Sequence, residues 1–112
     1  MSISCVATTG GIEPYRFVDQ TSTAGVVEYE TSGWPLGVSL PTPDGAADAG
    51  EHIGVESQRG VVVEIEISEA VDPGDELEPT TLGVAKVASG TARGKALTSG
   101  AASGDIVKAV LY

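Results

Sequence analysis

The sequence has 112 residues, 16 of them acidic and six basic, so its length fits one domain and its formal net charge is −10. Such acidity argues against nucleic acid and an anionic membrane surface as partners, because both need clustered Lys and Arg. The only aromatic side chains are one Trp, three Tyr and one Phe, so the core must come from Val, Ile, Leu and Ala. Self-association would stabilise so thin a core.

The N-terminal segment, residues 1–14, has no charged leader and no long apolar run, which predicts neither a signal peptide nor a membrane span. The protein is therefore expected to be made and kept in a cytoplasm. Thr8-Thr9-Gly10-Gly11 makes a flexible break, so the segment is either a first strand or an arm that adds to a neighbour's sheet. Cys5, the single cysteine, is predicted to be a small buried apolar side chain. Residues 15–112 are expected to form one β-rich domain.

Glycine and proline, with 15 and six copies, are spread along the chain and leave few windows in which a helix could run for three turns. The β-branched and apolar runs between them predict strands at about 3–8, 15–19, 25–30, 36–40, 52–57, 61–68, 76–79, 83–88, 93–98 and 105–112. The predicted fold class is all-β: a small β-barrel or β-sandwich of short antiparallel strands with little or no helix. A short turn within 43–49 is the one helical candidate.

Trp34 is the one large side chain in a loop-like setting, Ser32-Gly33-Trp34-Pro35. An exposed Trp in a loop is a good interface anchor. A Trp that folds back over a small core fits the same pattern equally well, so both alternatives stay open.

The strand at 61–68 has the clearest pattern, because apolar residues alternate with Glu64, Glu66 and Ser68. This period of two predicts one buried face and one wet face. Asp72-Pro73-Gly74-Asp75 then has the residues of a tight turn. The short strand 76–79 ends at Pro79, which cannot donate to a ladder and favours an edge position. The closing strand 105–112 is more apolar, which favours a central position or a subunit boundary.

Two stretches of the chain resemble each other. Leu36-Gly37-Val38-Ser39-Leu40 precedes a Gly-Ala-Ala turn and a strand at residue 52, and Arg93-Gly94-Lys95-Ala96-Leu97 precedes a Gly-Ala-Ala turn and a strand at residue 106. Equivalent hairpins in a barrel or sandwich would explain the similarity. Chance similarity in a chain rich in Gly and Ala would explain it too.

No group of residues supports catalysis or metal binding. His52 is the only histidine and no Gly-x-Ser-x-Gly motif accompanies it. One His and one Cys cannot form a four-ligand zinc site. The acidic stretch at 72–78 lacks the spacing of a calcium loop. The sequence therefore predicts no enzyme, no catalytic residue, no metal site and no cofactor.

Charge is uneven along the chain, because 15 of the acids lie before residue 82 and four of the bases lie after it. Such asymmetry suits head-to-tail contact between copies, whereas a solvated acidic surface is the simpler explanation. Six side chains from the N-terminal segment, the Trp loop, the basic third and the last strand are candidate interface contacts: Ile3, Val6, Trp34, Arg93, Lys95 and Tyr112.

The second half of the chain carries a series of motifs in a fixed order: Gly74-Asp75 before a strand, a Gly-x-Val strand at 83–87, a Gly-x-Ala strand at 94–97, an Ala/Gly turn, and a final Val-rich strand at 106–111. In their order and spacing these motifs resemble the small capsid cement, or head decoration, proteins of tailed bacteriophages, and the match covers most of residues 25–112. Gly-Val pairs at 25–26 and 37–38 fit the same pattern. Asp72-Pro73 departs from the usual small residues, and the N-terminal segment matches no part of the pattern.

The resemblance implies a structural virion protein that forms a homotrimer and binds the outside of a phage head. Such a protein, made in the bacterial host cytoplasm, would stabilise contacts between copies of the major capsid protein without a cofactor. A trimer engages three sites at once, so each copy needs only modest affinity. Two alternatives remain open. A β-sandwich ligand- or carbohydrate-binding accessory module predicts aromatic side chains along one face, and a small hydrolase predicts a base beside a nucleophile.

Overall fold

A computed structural model describes residues 2–112 as ten strands and one short 3₁₀ turn, Thr81–Gly83. The strands are β1 (Ser2–Ala7), β2 (Phe17–Gln20), β3 (Val26–Tyr29), β4 (Gly37–Ser39), β5 (His52–Glu56), β6 (Val62–Glu66), β7 (Glu76–Pro79), β8 (Ala85–Val87), β9 (Gly94–Ala96) and β10 (Ile106–Leu111). The all-β prediction is confirmed, and each predicted strand is found with ends shifted by a few residues.

The first five strands close into a barrel in the order β1-β3-β2-β4-β5. Its interior is a cluster of small and β-branched side chains: Cys5, Ala7, Ile12, Val18, Val27, Ala47, Ile53 and Val55. The segment Ser2–Ala7 is built into this barrel, antiparallel to β5 on one side and parallel to β3 on the other. The parallel pair departs from the predicted antiparallel pairing, because it depends on a barrel closure that local sequence does not encode.

The last five strands form a second sheet in the order β6-β10-β9-β7-β8. Alternate residues of β6 point into an apolar cluster, as its period-two pattern predicted, and alternate residues of β10, which lies between β6 and β9, point into the same cluster. A single parallel bridge between Ile67 and Ala85 connects the two ends of the sheet. The sheet is therefore a second barrel with an almost open seam between β6 and β8.

The two halves of the chain have the same topology. The parallel bridge Ile67–Ala85 corresponds to Ala7–Val27, and the antiparallel bridge Val71–Gly100 corresponds to Ile12–Ala47. Each strand of the second half has the same neighbours as its counterpart in the first half. The strands β6, β7, β8, β9 and β10 correspond, in that order, to β1, β2, β3, β4 and β5. The faint similarity between residues 36–52 and 93–106 is thus one part of a complete internal repeat, and chance is not needed to explain it.

The repeated glycine of the two similar stretches has a steric cause. A Cβ at Gly37 would lie 2.1 Å from the carbonyl oxygen of Glu56, and a Cβ at Gly94 would lie 2.9 Å from that of Val110. Real Cβ atoms do not approach carbonyl oxygens so closely, so both repeats require glycine where this strand crosses its neighbour.

The first barrel packs against the open seam of the second. Phe17 and Val38, a cross-strand pair on the outer face of the first barrel, belong to the same apolar cluster as the interior of the second. The Glu66 N–H donates to the carbonyl oxygen of Tyr15 at 2.9 Å. Arg16 donates to Glu66 Oε1 at 3.2 Å and to the Leu82 carbonyl oxygen at 3.1 Å. Tyr15, Arg16 and Phe17 therefore occupy the gap that a β6–β8 ladder would otherwise close.

Two local predictions are wrong. Residues 43–49 form turns and bridges rather than a helical turn, while the 3₁₀ turn lies at Thr81–Gly83. The strand β7 is not at an edge, because it pairs with both β8 and β9. Pro79 is tolerated there because β9 pairs only with Glu76 and Leu77, so its ladder ends before the proline. The turn at 72–75 is confirmed, with Gly74 at φ +92°.

Candidate interaction surface

Trp34 lies in the loop between β3 and β4 and is 57% exposed. It belongs to neither apolar cluster, so the exposed alternative is the one that the structure shows. The guanidinium carbon of Arg93 lies 3.8 Å from the centroid of the indole ring. This distance fits a stacked cation–π contact. One aromatic side chain therefore projects from the molecule with an arginine against its ring.

Two arginines from the second half of the chain fix the loop around Trp34. The Arg93 Nε–H donates to the carbonyl oxygen of Gly33 at 3.0 Å, and Arg59 donates to that of Pro35 at 2.5 Å. Because carbonyl groups on both sides of Trp34 are held, the loop has little freedom left to lose on binding. Arg59 was not among the predicted contacts, since a single base in a turn forms no recognisable pattern.

Arg93 is 7% exposed although it carries a charge. Its backbone N–H bonds to Leu77, as that of Leu36 bonds to Val18, so Arg93 occupies the position that Leu36 fills in the first barrel. Among the described residues it forms one side-chain hydrogen bond, to Gly33, and no ion pair. Its Nη1 atom is buried without a hydrogen-bond partner. A charge has thus replaced an apolar side chain without an internal counter-ion.

Tyr112 and Lys95 lie beside Arg93. The Tyr112 N–H donates to the Arg93 carbonyl oxygen at 3.0 Å, and its hydroxyl donates to Glu76 at 2.9 Å. That hydrogen bond raises the pKa of Tyr112, because ionisation would place two anions together. Lys95 is exposed and lies opposite Glu76 in the β7–β9 ladder. Four of the six predicted contacts, Trp34, Arg93, Lys95 and Tyr112, therefore form one neighbourhood, termed here the Trp34–Arg93 surface.

The remaining two predicted contacts lie on β1 in the first barrel. Ile3 is 39% exposed and Val6 is half-buried. They face opposite sides of the strand, and they pair with Val55 and with His52 and Val26. No hydrogen bond, ring contact or strand pairing among residues 2–112 connects them to the Trp34–Arg93 surface. Their role as contacts stays a prediction.

Three of the four bases in the last third of the sequence, Lys86, Lys95 and Lys108, lie opposite acidic residues on neighbouring strands of the second barrel. Lys86 lies opposite Glu78 with Nζ and Oε1 3.4 Å apart, and Lys108 lies opposite Glu64. Opposite charges across strands stabilise a sheet modestly. The excess acid remains on the first barrel, whose residues 2–56 carry eight acids and one base. The basic third of the sequence is therefore no separate basic face.

One contact brings a base near a nucleophile. The Ser4 hydroxyl lies 3.4 Å from His52 Nδ1, and both residues are exposed. A Ser–His pair needs a third group that orients the imidazole. The neighbouring carboxylate, Glu51, accepts instead from the Asp48 N–H at 2.8 Å within its own turn. The pair lies on the exposed surface of the adjacent strands β1 and β5.

No group of three or more His, Cys, Asp or Glu side chains within residues 2–112 is arranged to hold a metal ion. Cys5 is buried as predicted, and burial raises the pKa of its thiol. No helix in the described part of the chain is long and apolar enough to cross a membrane.

Two of the shallow cavities on the described surface are lined by a tyrosine. One, of about 280 Å³, lies between the barrels beside Tyr15, Leu40 and Val62, and the other, of about 490 Å³, lies beside Tyr29 and Leu82. Phe17 is buried, and the Tyr29 hydroxyl accepts from the Glu13 N–H. The aromatic side chains thus form no exposed row of the kind that carbohydrate-binding modules present.

The fold and the surface define a class of small, acidic, tandem β-barrel proteins with a projecting tryptophan. Comparison with protein-family models finds no match, and comparison with curated protein sequences finds none either. Among solved structures, the fold matches the crystal structure of the head fiber gp8.5 N base in bacteriophage phi29. The TM-score is 0.80 at 17% identity, over 100% of this chain and 93% of that one. The chain therefore shares its fold with the base of this phage head fiber.

Proposed function

We propose that the protein is a structural virion protein, a decoration (cement) protein that binds the outside of a phage head as a trimer. There it stabilises contacts between major capsid proteins. The observation that supports this most is the fold, shared over the whole chain with the base of a phage head fiber. The sequence resemblance to head decoration proteins, found independently of the structure, supports the same conclusion.

The Trp34–Arg93 surface is the part of the molecule best suited to dock on the head. Trp and Arg are the residues that most often dominate interface energies. Trp34 is exposed on a loop held by two arginines, so little ordering is needed when it binds. Excess acid on the first barrel favours an outer, solvated position for that half.

Sedimentation with undecorated phage heads tests the proposal. The wild-type protein is expected to co-sediment, and Trp34→Ala to bind at least tenfold more weakly. Ile106→Ala is the matched control, because Ile106 is also an exposed apolar side chain but begins β10, at the opposite end of that strand from Tyr112. Failure of the wild-type protein to co-sediment would contradict the proposed function. Equal loss in both variants would contradict the choice of surface.

The trimer is tested separately by mass in solution and on the head. The subunit mass is 11.3 kDa, so light scattering on a size-exclusion column distinguishes one copy from three. A protein that stays monomeric at high concentration and also binds heads as single copies contradicts the trimer.

A second candidate function is the base of a longer head fiber, because the neighbouring structure is described as such a base. Electron microscopy of decorated heads separates the two candidates. A decoration protein gives compact knobs, whereas a fiber base carries density that extends outwards from the head.

A carbohydrate-binding module is disfavoured, because the aromatic side chains form no exposed row. A glycan array with Trp34→Ala as control tests it. Glycan binding that disappears in Trp34→Ala, together with no binding to heads, would favour the module over the virion protein.

A further inference from the structure

Arg93 presents an unusual electrostatic situation. The chain has 16 acidic side chains, yet none within residues 2–112 forms an ion pair with this almost fully buried arginine. Its Nε–H donates a hydrogen bond to the Gly33 carbonyl oxygen, while Nη1 is buried and has no hydrogen-bond partner. A buried charge without a counter-ion costs folding free energy, and a leucine occupies the equivalent position in the first barrel.

From this we infer that Arg93 is a carboxylate-binding residue, whose counter-ion is an Asp or Glu side chain of the protein on which the Trp34–Arg93 surface docks. The inference rests on the proposed function and names the chemistry of the partner. It requires that the partner supply one carboxylate beside an apolar pocket for the indole ring.

The geometry suits this task. Guanidinium binds carboxylate through two parallel N–H groups, which makes the pair strong and directional. The Trp34 ring covers the guanidinium at 3.8 Å and is itself 57% exposed. A shift of the indole into the partner's pocket opens the guanidinium to the carboxylate. Docking then pairs the charge in a site from which water is excluded, where an ion pair is stronger than on an open surface.

A carboxylate fits better than a phosphate of nucleic acid. The net charge of −10 repels a polyanion, and the remaining bases nearby do not form a basic patch, since Lys95 lies opposite Glu76. A single carboxylate on a protein surface interacts mainly with the nearby positive charge of Arg93, so the net charge of the chain repels it much less than a polyanion.

Three variants test the inference on undecorated heads. Arg93→Met keeps a long apolar stem without the charge, and we expect binding to fall at least tenfold while the melting temperature does not fall. Arg93→Lys keeps the charge without the two-pronged geometry, and we expect an intermediate affinity. Lys108→Met removes an exposed charge outside the Trp34–Arg93 surface, and we expect less than a threefold change. If Arg93→Met has a lower melting temperature but binds heads as tightly as wild type, Arg93 stabilises the fold and does not bind the partner, which would overturn the inference.

A second measurement does not depend on the head. Trp34 is the only tryptophan, so its fluorescence, together with the NMR signal of the Arg93 Nε–H, reports on this site alone. Sodium acetate is expected to shift both signals in the wild-type protein, relative to sodium chloride at equal ionic strength, and to leave the fluorescence of Arg93→Met unchanged. If wild type fails to bind heads, the proposed function is wrong and acetate alone decides the inference. If acetate shifts neither wild-type signal, the inference is wrong.

Discussion

At the scale of single residues, the sequence patterns predicted which side chains are buried better than they predicted which residues contact each other. Cys5, Ile65 and Ile67 are buried where the sequence placed apolar side chains. By contrast, the contact between Arg93 and Gly33 joins residues 60 positions apart. No local sequence pattern predicts such a contact. Arg93 could therefore be proposed as an interface residue only because it is one of several bases in the last third of the chain. Its burial and its missing counter-ion are properties of the assembled fold.

The Cys5 thiol gives a pH prediction. Burial raises its pKa in the folded state above the usual thiol value of about 8.5. The unfolded chain therefore loses the thiol proton first as the pH rises. The thiol contributes its full stabilisation below about pH 8.5 and loses it as the pH rises through the folded-state pKa.

Urea unfolding between pH 7 and pH 10 measures this effect. The wild-type protein is expected to lose more stability over that range than Cys5→Ala, which has no thiol to ionise. Equal losses in the two proteins would show that the thiol does not contribute. A thiol reagent should also label the native protein at pH 7 far more slowly than the unfolded chain.

At the scale of elements, the strands were predictable because turn residues and period-two patterns are local. Their partners were not. The parallel pairing of β1 with β3 and the central position of β7 depend on how each half closes. The internal repeat was visible in sequence only in two pairs of short stretches, those around Gly37 and Gly94 and the Gly-Ala-Ala turns that follow them, and steric contact demands glycine only at the first pair. Elsewhere the two halves use different side chains for the same backbone path.

The junction between the barrels makes a prediction about two glycines. Gly83 and Gly25 both have positive φ, at +73° and +79°, so alanine at either costs about 1–2 kcal/mol for the backbone alone. A Cβ at Gly83 would also lie 2.4 Å from the Phe17 carbonyl oxygen, whereas one at Gly25 meets nothing within 4 Å. We therefore expect Gly83→Ala to lower the free energy of unfolding more than Gly25→Ala. Equal effects in urea titrations would contradict the close approach at the junction.

At the scale of the whole molecule, the two barrels form one body of 35 × 25 × 24 Å. They meet through an outer face of the first and an open seam of the second. The corresponding outer face of the second barrel carries Glu76 and Lys95 where the first carries Phe17 and Val38. The apolar side chains join the two barrels at the junction. The charged side chains at the free end prevent a third barrel from packing there, so the repeat has two units.

The junction predicts that both barrels unfold together. Phe17 is 2% exposed, so Phe17→Ala is expected to cost about 3–5 kcal/mol and to lower the urea midpoint of both halves equally. Ile106→Ala, at a side chain that is 40% exposed, is the control and should cost far less. Amide signals from β1 and β10 in NMR-monitored unfolding follow each barrel separately. Two separate midpoints in Phe17→Ala, with only one of them lowered, would contradict a shared core.

The seam filled by Tyr15, Arg16 and Phe17 also sets an order of events during synthesis. A chain leaves the ribosome from its N-terminus, so the first barrel has all its strands before β6 emerges. A fragment of residues 1–60 is therefore expected to fold alone, and a fragment of 61–112 to stay unfolded until 1–60 is added, as followed by circular dichroism. Independent folding of 61–112 would show that its seam needs no filling. The earlier half of the chain thus serves as the template on which the later half is completed.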